Sequence, residues 1–129
     1  MHKGSCLCGA VELQVEGDLK EAVACHCTVC RKWTGHYGVG VEVPRDKLKI
    51  EGAEDISWFQ SSDHARRGFC AKCGTSLFFD PTDREKNNWV VVYMGVFDKP
   101  TGAKMALHIF AAEKGDYYEI TDGVPQNEY

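Results

Sequence analysis

Three cysteines fall within six residues in the segment Cys25-His26-Cys27-Thr28-Val29-Cys30. Two further groups have similar spacing: Cys6 with Cys8, and Cys70 with Cys73. Cysteines one or two residues apart can turn both thiolates toward one metal ion, and zinc, which takes sulfur at about 2.3 Å, suits such sets. Seven cysteines is an odd number, so internal disulfides cannot use them all. Metal ligation is the chemistry to which the spacing points. Two divisions are open. In one, Cys27 and Cys30 pair with Cys70 and Cys73, leaving Cys6, Cys8 and Cys25 over. In the other, Cys6, Cys8, Cys70 and Cys73 close a four-cysteine structural site, and Cys25, Cys27 and Cys30 hold a second metal with one position open, the usual form of a catalytic zinc.

The competing readings of the three-cysteine group are a second structural zinc closed by His26, His36 or His64, and buried thiols without metal. His26 lies between two ligand candidates, and in an extended segment its side chain points away from theirs, so it reads as a spectator. Arg31, Lys32, Arg66 and Arg67 flank the cysteines and have the chemistry to receive carboxylates. Taken singly, each reads first as a solvated charge at a loop end. Trp33, Tyr37, Trp58 and Phe59 are candidates for a pocket lining, whereas Trp89, Tyr93 and Phe97 read as core. Asp98 and Asp122 suit acid–base chemistry and suit turns and caps equally well.

The elements that must position these residues read mainly as strands. Val11, Leu13 and Val15 alternate with Glu12, Gln14 and Glu16. Gly38–Val43 also alternates and runs into Pro44. Short strands are expected in KLKIEG, ISWFQS and TSLFFD, a central strand over Trp89–Phe97 and a last strand in DYYEIT. Helical periodicity is scarce, with short turns expected near 18–22 and 98–103. Many short strands with turns between them indicate a sandwich or an open barrel. At 129 residues the chain fits one domain, 1–129. A net charge of -4 gives no electrostatic footprint for nucleic acid. No apolar run reaches the length of a membrane span, and the N-terminal segment lacks the apolar stretch of a signal peptide. The expected compartment is the cytoplasm, where thiols stay reduced. Oligomeric state is left open.

Together, GSCLCGAVEL (residues 4–13), CHCTVCRKWTG (25–35), RRGFCAKCGTSLFF (66–79) and a looser tail of LHIF and DYYEITDGVPQNEY resemble the glutathione-dependent formaldehyde-activating enzymes, which are grouped with centromere protein V. The resemblance implies a β-tent fold of coiled sheets built from short antiparallel strands and clasped by zinc. It also implies the second division of the cysteines: structural zinc on Cys6, Cys8, Cys70 and Cys73, and catalytic-type zinc on Cys25, Cys27 and Cys30, two ions per chain. The implied activity is that of a carbon–sulfur lyase like S-(hydroxymethyl)glutathione synthase, which joins a small thiol, glutathione, to formaldehyde. A non-catalytic zinc scaffold that binds glutathione or a protein partner is the alternative. The resemblance also raises a chromatin role, which the acidic balance opposes.

Overall fold

The computed structural model describes residues 1–129. Three strands form a small sheet in the order β1 (His2–Ser5), β2 (Glu12–Val15), β5 (Leu48–Glu51). The other seven form a large one: β10 (Met105–Ile109), β3 (Ala22–Cys25), β4 (Gly38–Pro44), β9 (Trp89–Tyr93), β8 (Ser76–Pro81), β7 (Ala65–Cys70), β6 (Ile56–Ser62). Every pairing is antiparallel except β10 with β3. A bridge between Gly4 and Phe97 ties the sheets together. One α-helix, α1 (Thr28–Thr34), follows β3.

The period-2 pattern decides which face is buried. Val11, Leu13 and Val15 turn inward from the small sheet and meet Val41, Val43, Leu77, Phe78, Val90 and Val92 of the large one in a continuous apolar core. Burial of such side chains contributes roughly 1.5–3 kcal/mol each. The expected mainly β architecture is therefore present.

Several local expectations are corrected. The strand expected over 89–97 ends at Tyr93 and passes into a 3-10 turn, Met94–Val96. Trp89, expected in the core, is half-buried. DYYEIT forms turns instead of a strand, Ala22 begins β3, and residues 98–103 contain no helical turn. Four strands carry no clean alternation in sequence: β1, β3, β7 and β10. In β7 the reason is chemical. Arg66 and Arg67 look like loop charges, but Asp80 accepts from Arg66 at 2.8 Å and the Tyr93 hydroxyl accepts from Arg67 at 2.9 Å.

Candidate metal centres

Two tight loops carry the four-cysteine set. After β1, the Cys6 N–H donates to Val11 O (3.0 Å) and the Val11 N–H donates to Cys6 Sγ (3.3 Å). After β7, Gly74 at φ +80° donates to Cys70 O (2.7 Å), a left-handed turn that suits glycine. Leu7 N–H to Thr75 Oγ1, 3.0 Å, latches one loop to the other. The sulfurs of Cys6, Cys8, Cys70 and Cys73 all lie within 4.8 Å of one another. Cys6–Cys8 is 3.6 Å and Cys8–Cys70 is 3.8 Å. A disulfide would need about 2.05 Å. Tetrahedral zinc with sulfur at about 2.3 Å separates its ligands by about 3.8 Å, so these residues fit such an ion without rearrangement. The electrostatics divide the set: the Ala10 N–H lowers the Cys8 thiol, but without a cation the neighbouring thiols push it up to about 11. The Thr75 hydroxyl and N–H hold Cys73 down to about 5. Burial pushes Cys6 up, but the Val11 N–H and the neighbouring thiols Cys8 and Cys70 more than offset it.

The three-cysteine set sits where β3 runs into α1. Cys25 ends β3, paired with Gly38 on one side and Ile109 on the other. Cys27 is the N-cap of α1, its Sγ accepting the Cys30 N–H at 3.3 Å. Thr34 and Gly35 close the helix: Thr34 Oγ1 donates to Cys30 O (2.8 Å), and Gly35 takes the left-handed conformation at φ 89°. The three sulfurs lie within 4.8 Å of one another. Hydrogen bonds from the Cys25 and Cys30 thiols, with backbone N–H groups, hold Cys27 down to about 2, and the Cys25 thiol is pushed well up, chiefly by the Cys27 sulfur. Without a cation, the cluster thus concentrates its negative charge on Cys27. A positive ion among them would favour ionisation of all three. The structure brings together both sets of the second division and does not bring Cys27 and Cys30 to Cys70 and Cys73.

His26 is fully buried, and both its ring nitrogens are engaged. Nδ1 meets the Tyr118 hydroxyl at 2.7 Å, and Nε2 meets His108 Nδ1 at 2.8 Å. His108 Nε2 lies 2.8 Å from Asp122 Oδ2. Because a carboxylate only accepts, the neutral-ring network reads inward from it: His108 Nε2–H to Asp122, His26 Nε2–H to His108, and Tyr118 O–H to His26. Burial, then the charge of His108, lowers the His26 pKa and favours the neutral ring. No nitrogen is left over to close the three-cysteine set. His36 instead bonds the Tyr117 hydroxyl at 2.8 Å. Glu113 Oε1 accepts from both Thr28 N and Thr28 Oγ1 at 3.1 Å, pinning the start of α1.

The flanking residues diverge. Arg67 is buried, with three hydrogen bonds going to Ser61, Tyr93 and Cys30 Sγ (3.5 Å). Its reading as a solvated charge is therefore corrected. Arg66 stacks over Trp58 at 3.8 Å and pairs with Asp80, while Arg31 donates to Glu113 O and Lys32 is exposed. Trp33 and Tyr37 are half-buried beside the cluster, whereas Trp58 and Phe59, both exposed, leave β6 on opposite faces, Trp58 over Phe78 and Phe59 stacked 6.5 Å from Trp33. Asp98 donates its N–H to Lys3 O and belongs to neither sulfur set; it lines a surface hollow with Ser5, Glu12 and Lys49. His64 lies in the β6–β7 turn. Tyr93 joins the Arg67 side of the site instead of serving only as core. His108, Glu113 and Tyr118 are the supports that sequence reading missed. The parallel β10–β3 pairing brings them in from far along the chain, and no local pattern announces that pairing.

Residues 1–113 match the profile described as glutathione-dependent formaldehyde-activating enzyme. The chain belongs to this family. Among its relatives, an uncharacterized lyase of Schizosaccharomyces pombe is 32% identical over 125 residues, covering 94% of this chain and 86% of that protein. A Halomonas elongata protein, provisionally named a glutathione-dependent formaldehyde-activating enzyme, is 34% identical over 88 residues, covering 61% of this chain and 56% of its own. In fold, the formaldehyde-activating-type chain is similar to a Rhodobacter sphaeroides protein of known crystal structure. The TM-score is 0.58 and the identity 23%, with 96% of this chain and 98% of that one covered. Membership of an enzyme family and a relative named as a lyase support an enzyme of that general kind. No helix is long and apolar enough to cross a membrane.

Proposed function

We propose that this protein is a zinc-dependent carbon–sulfur lyase, working on the adduct of a small thiol with an aldehyde. Glutathione and formaldehyde are the proposed pair and S-hydroxymethylglutathione the product. The observation that carries the reading is the unequal division of the sulfurs, four in one set and three in the other, with both nitrogens of the adjacent His26 already engaged. Cys6, Cys8, Cys70 and Cys73 would hold a structural zinc, and Cys25, Cys27 and Cys30 a second zinc. When bound there, that second ion supplies an open position and lowers the pKa of a thiol that takes it.

The chain's own residues do the rest. The Cys27 cap and the β3 end fix the three sulfurs before ligand arrives, so little order is lost on binding. The Arg67 guanidinium lies against Cys30 Sγ and offsets the single negative charge that three thiolates and a divalent ion would carry. Lys32, exposed on α1, and Arg31 beside it have the charge to receive the carboxylates of glutathione. In the overall reaction the thiol proton leaves sulfur, the carbon–sulfur bond forms as the carbonyl π pair moves to oxygen, and a proton ends on that oxygen. The seven free thiols suit a reducing compartment, proposed to be the cytoplasm. We take residues 1–129 as one functional unit, because β10 and the tail pack back on β3.

The test is the rate of interconversion between glutathione plus formaldehyde and the adduct, followed by exchange NMR with zinc-loaded protein. Acceleration that is lost in Cys30→Ser, with the four-cysteine ion retained, is the expected result. Saturable glutathione binding with no acceleration would instead identify a scaffold.

A further inference from the structure

Arg67 is 4% exposed, yet none of its three hydrogen bonds reaches a carboxylate. A buried cation without a carboxylate partner is costly by several kcal/mol unless another anion offsets it. Its anionic neighbours are the sulfurs: Nη2 points to Cys30 Sγ at 3.5 Å. Nη1 donates to the Tyr93 hydroxyl at 2.9 Å. That bond uses Tyr93 as an acceptor and leaves its own O–H proton without a protein acceptor, although Tyr93 is only 9% exposed. Gly38 makes room for the arrangement. A Cβ there would stand 3.1 Å from Tyr93 Cε1 and 3.7 Å from Cys30 Cβ, so the phenol ring and the third cysteine flank the same bare backbone. A third donor is also unclaimed. Trp33 Nε1, from the ring 6.0 Å from the Arg67 guanidinium carbon, is buried with no hydrogen-bond partner. Buried donors are almost always satisfied, and those that are not call for an explanation. Here an unclaimed phenol proton and a guanidinium stand beside Cys30 Sγ, the unclaimed Trp33 N–H is carried on a ring 6.0 Å from that guanidinium, and an acceptor is what they lack.

We propose that Arg67 and Tyr93, with the Trp33 N–H beside them, form an oxygen-binding arm of the three-cysteine site, selecting ligands that carry an oxygen on the carbon bonded to sulfur. This rests on the thiol-adduct reading above and adds to it the residues that recognise the reacting carbon. Thiohemiacetals and thioesters have that oxygen; plain thioethers do not. During addition the sulfur–carbon bond forms and the carbonyl π pair moves to oxygen. The proton given up by the thiol reaches that oxygen by way of water. Arg67 and Tyr93 keep their protons throughout and only donate hydrogen bonds, which strengthen as negative charge builds on the oxygen.

S-acetylglutathione and S-ethylglutathione differ by the carbonyl oxygen on the carbon bonded to sulfur, and calorimetry on zinc-loaded protein compares them. The wild type should bind the acetyl compound about tenfold more tightly, the worth of one strong hydrogen bond. Tyr93→Phe should reduce the preference to within about twofold, chiefly by weakening binding of the acetyl compound. Trp33→Phe, which keeps a ring and removes the N–H, should reduce it by a smaller factor. A wild type with no preference, or a preference untouched by both variants, overturns the oxygen-binding arm. Exchange NMR on the same samples separates the two proposals. A wild type that prefers the acetyl compound without accelerating adduct exchange keeps the arm and sinks the lyase. Acceleration without preference does the reverse, and failure of both measurements removes both.

Discussion

Replacing His26 with phenylalanine asks whether this residue is a ligand or a strut. The ring is retained, so the space against Tyr37, 4.3 Å away centre to centre, stays filled. Both hydrogen bonds are lost, at 2.7 Å to Tyr118 and 2.8 Å to His108. His108 is 2% exposed, so its Nδ1 has no water to turn to and bears a full desolvation penalty of about 2 kcal/mol. Tyr118 is half-buried and recovers part of its bond from solvent, adding about 1 kcal/mol. The expected destabilisation is about 3 kcal/mol, a fall in Tm of about 10 °C for a chain of this size. Urea unfolding measures the loss. Metal content after exhaustive dialysis, by plasma mass spectrometry, should stay at two ions per chain, because neither nitrogen faces the sulfurs. A variant with normal stability and only one retained ion would refute the reasoning and make His26 the fourth ligand.

Two further outcomes follow from the same geometry. Asp80, with its side chain 3% exposed, touches Arg45 at 2.7 Å and Arg66 and Arg84 at 2.8 Å. Burial alone would raise its pKa, but the hydrogen bonds from Arg66 and Arg45, with the charge of Arg84, hold it below the ordinary carboxylate range. That stabilisation is present above the unfolded value of about 3.9 and is lost as pH falls through the lower folded value. Asp80→Asn should cost about 2 kcal/mol at neutral pH, less than a fully buried pair because the arginines partly reach water. Its stability should also fall less steeply below about pH 4, which acid titration of unfolding would show; a loss under 0.5 kcal/mol would count against the clasp. Stripping metal with a strong chelator should lower Tm by more than 10 °C and expose all seven thiols to maleimide, counted by mass spectrometry. Equal labelling before and after would mean that the cysteines hold no ion.

The sulfur chemistry was legible because metal ligands cluster in sequence as well as in space. Cysteine spacing narrowed the groupings, and the folded loops brought together one of the two divisions that spacing left open. The alternation of Val11, Leu13 and Val15 marked an inner face for the same reason: one residue type in two meets the core. What stayed hidden depends on distant pairings. β3, with the short sequence AVAC, has no pattern of its own and exists because β4 and β10 flank it. Arg67 looked like a surface charge until Tyr93 and Cys30 were seen to receive it. The aromatic, acidic tail looked like a strand, yet its role is to supply Tyr118 and Asp122 to histidines elsewhere.

The parallel pairing of β10 with β3 also sets an order in time. Cys6, Cys8, Cys70 and Cys73 have all emerged once the β7–β8 loop is made, so, on the zinc reading proposed above, a growing chain could clasp its first ion early. The second set emerges sooner in sequence but is left waiting. Its seat needs Ile109 to receive the His26 N–H, Glu113 to pin α1, and His108 and Tyr118 to hold His26. Such long-range closure is slow compared with local turns. Until it occurs, three unshielded thiols stand on an unbraced loop, the interval in which a nascent chain is most open to oxidation or to capture of the wrong metal.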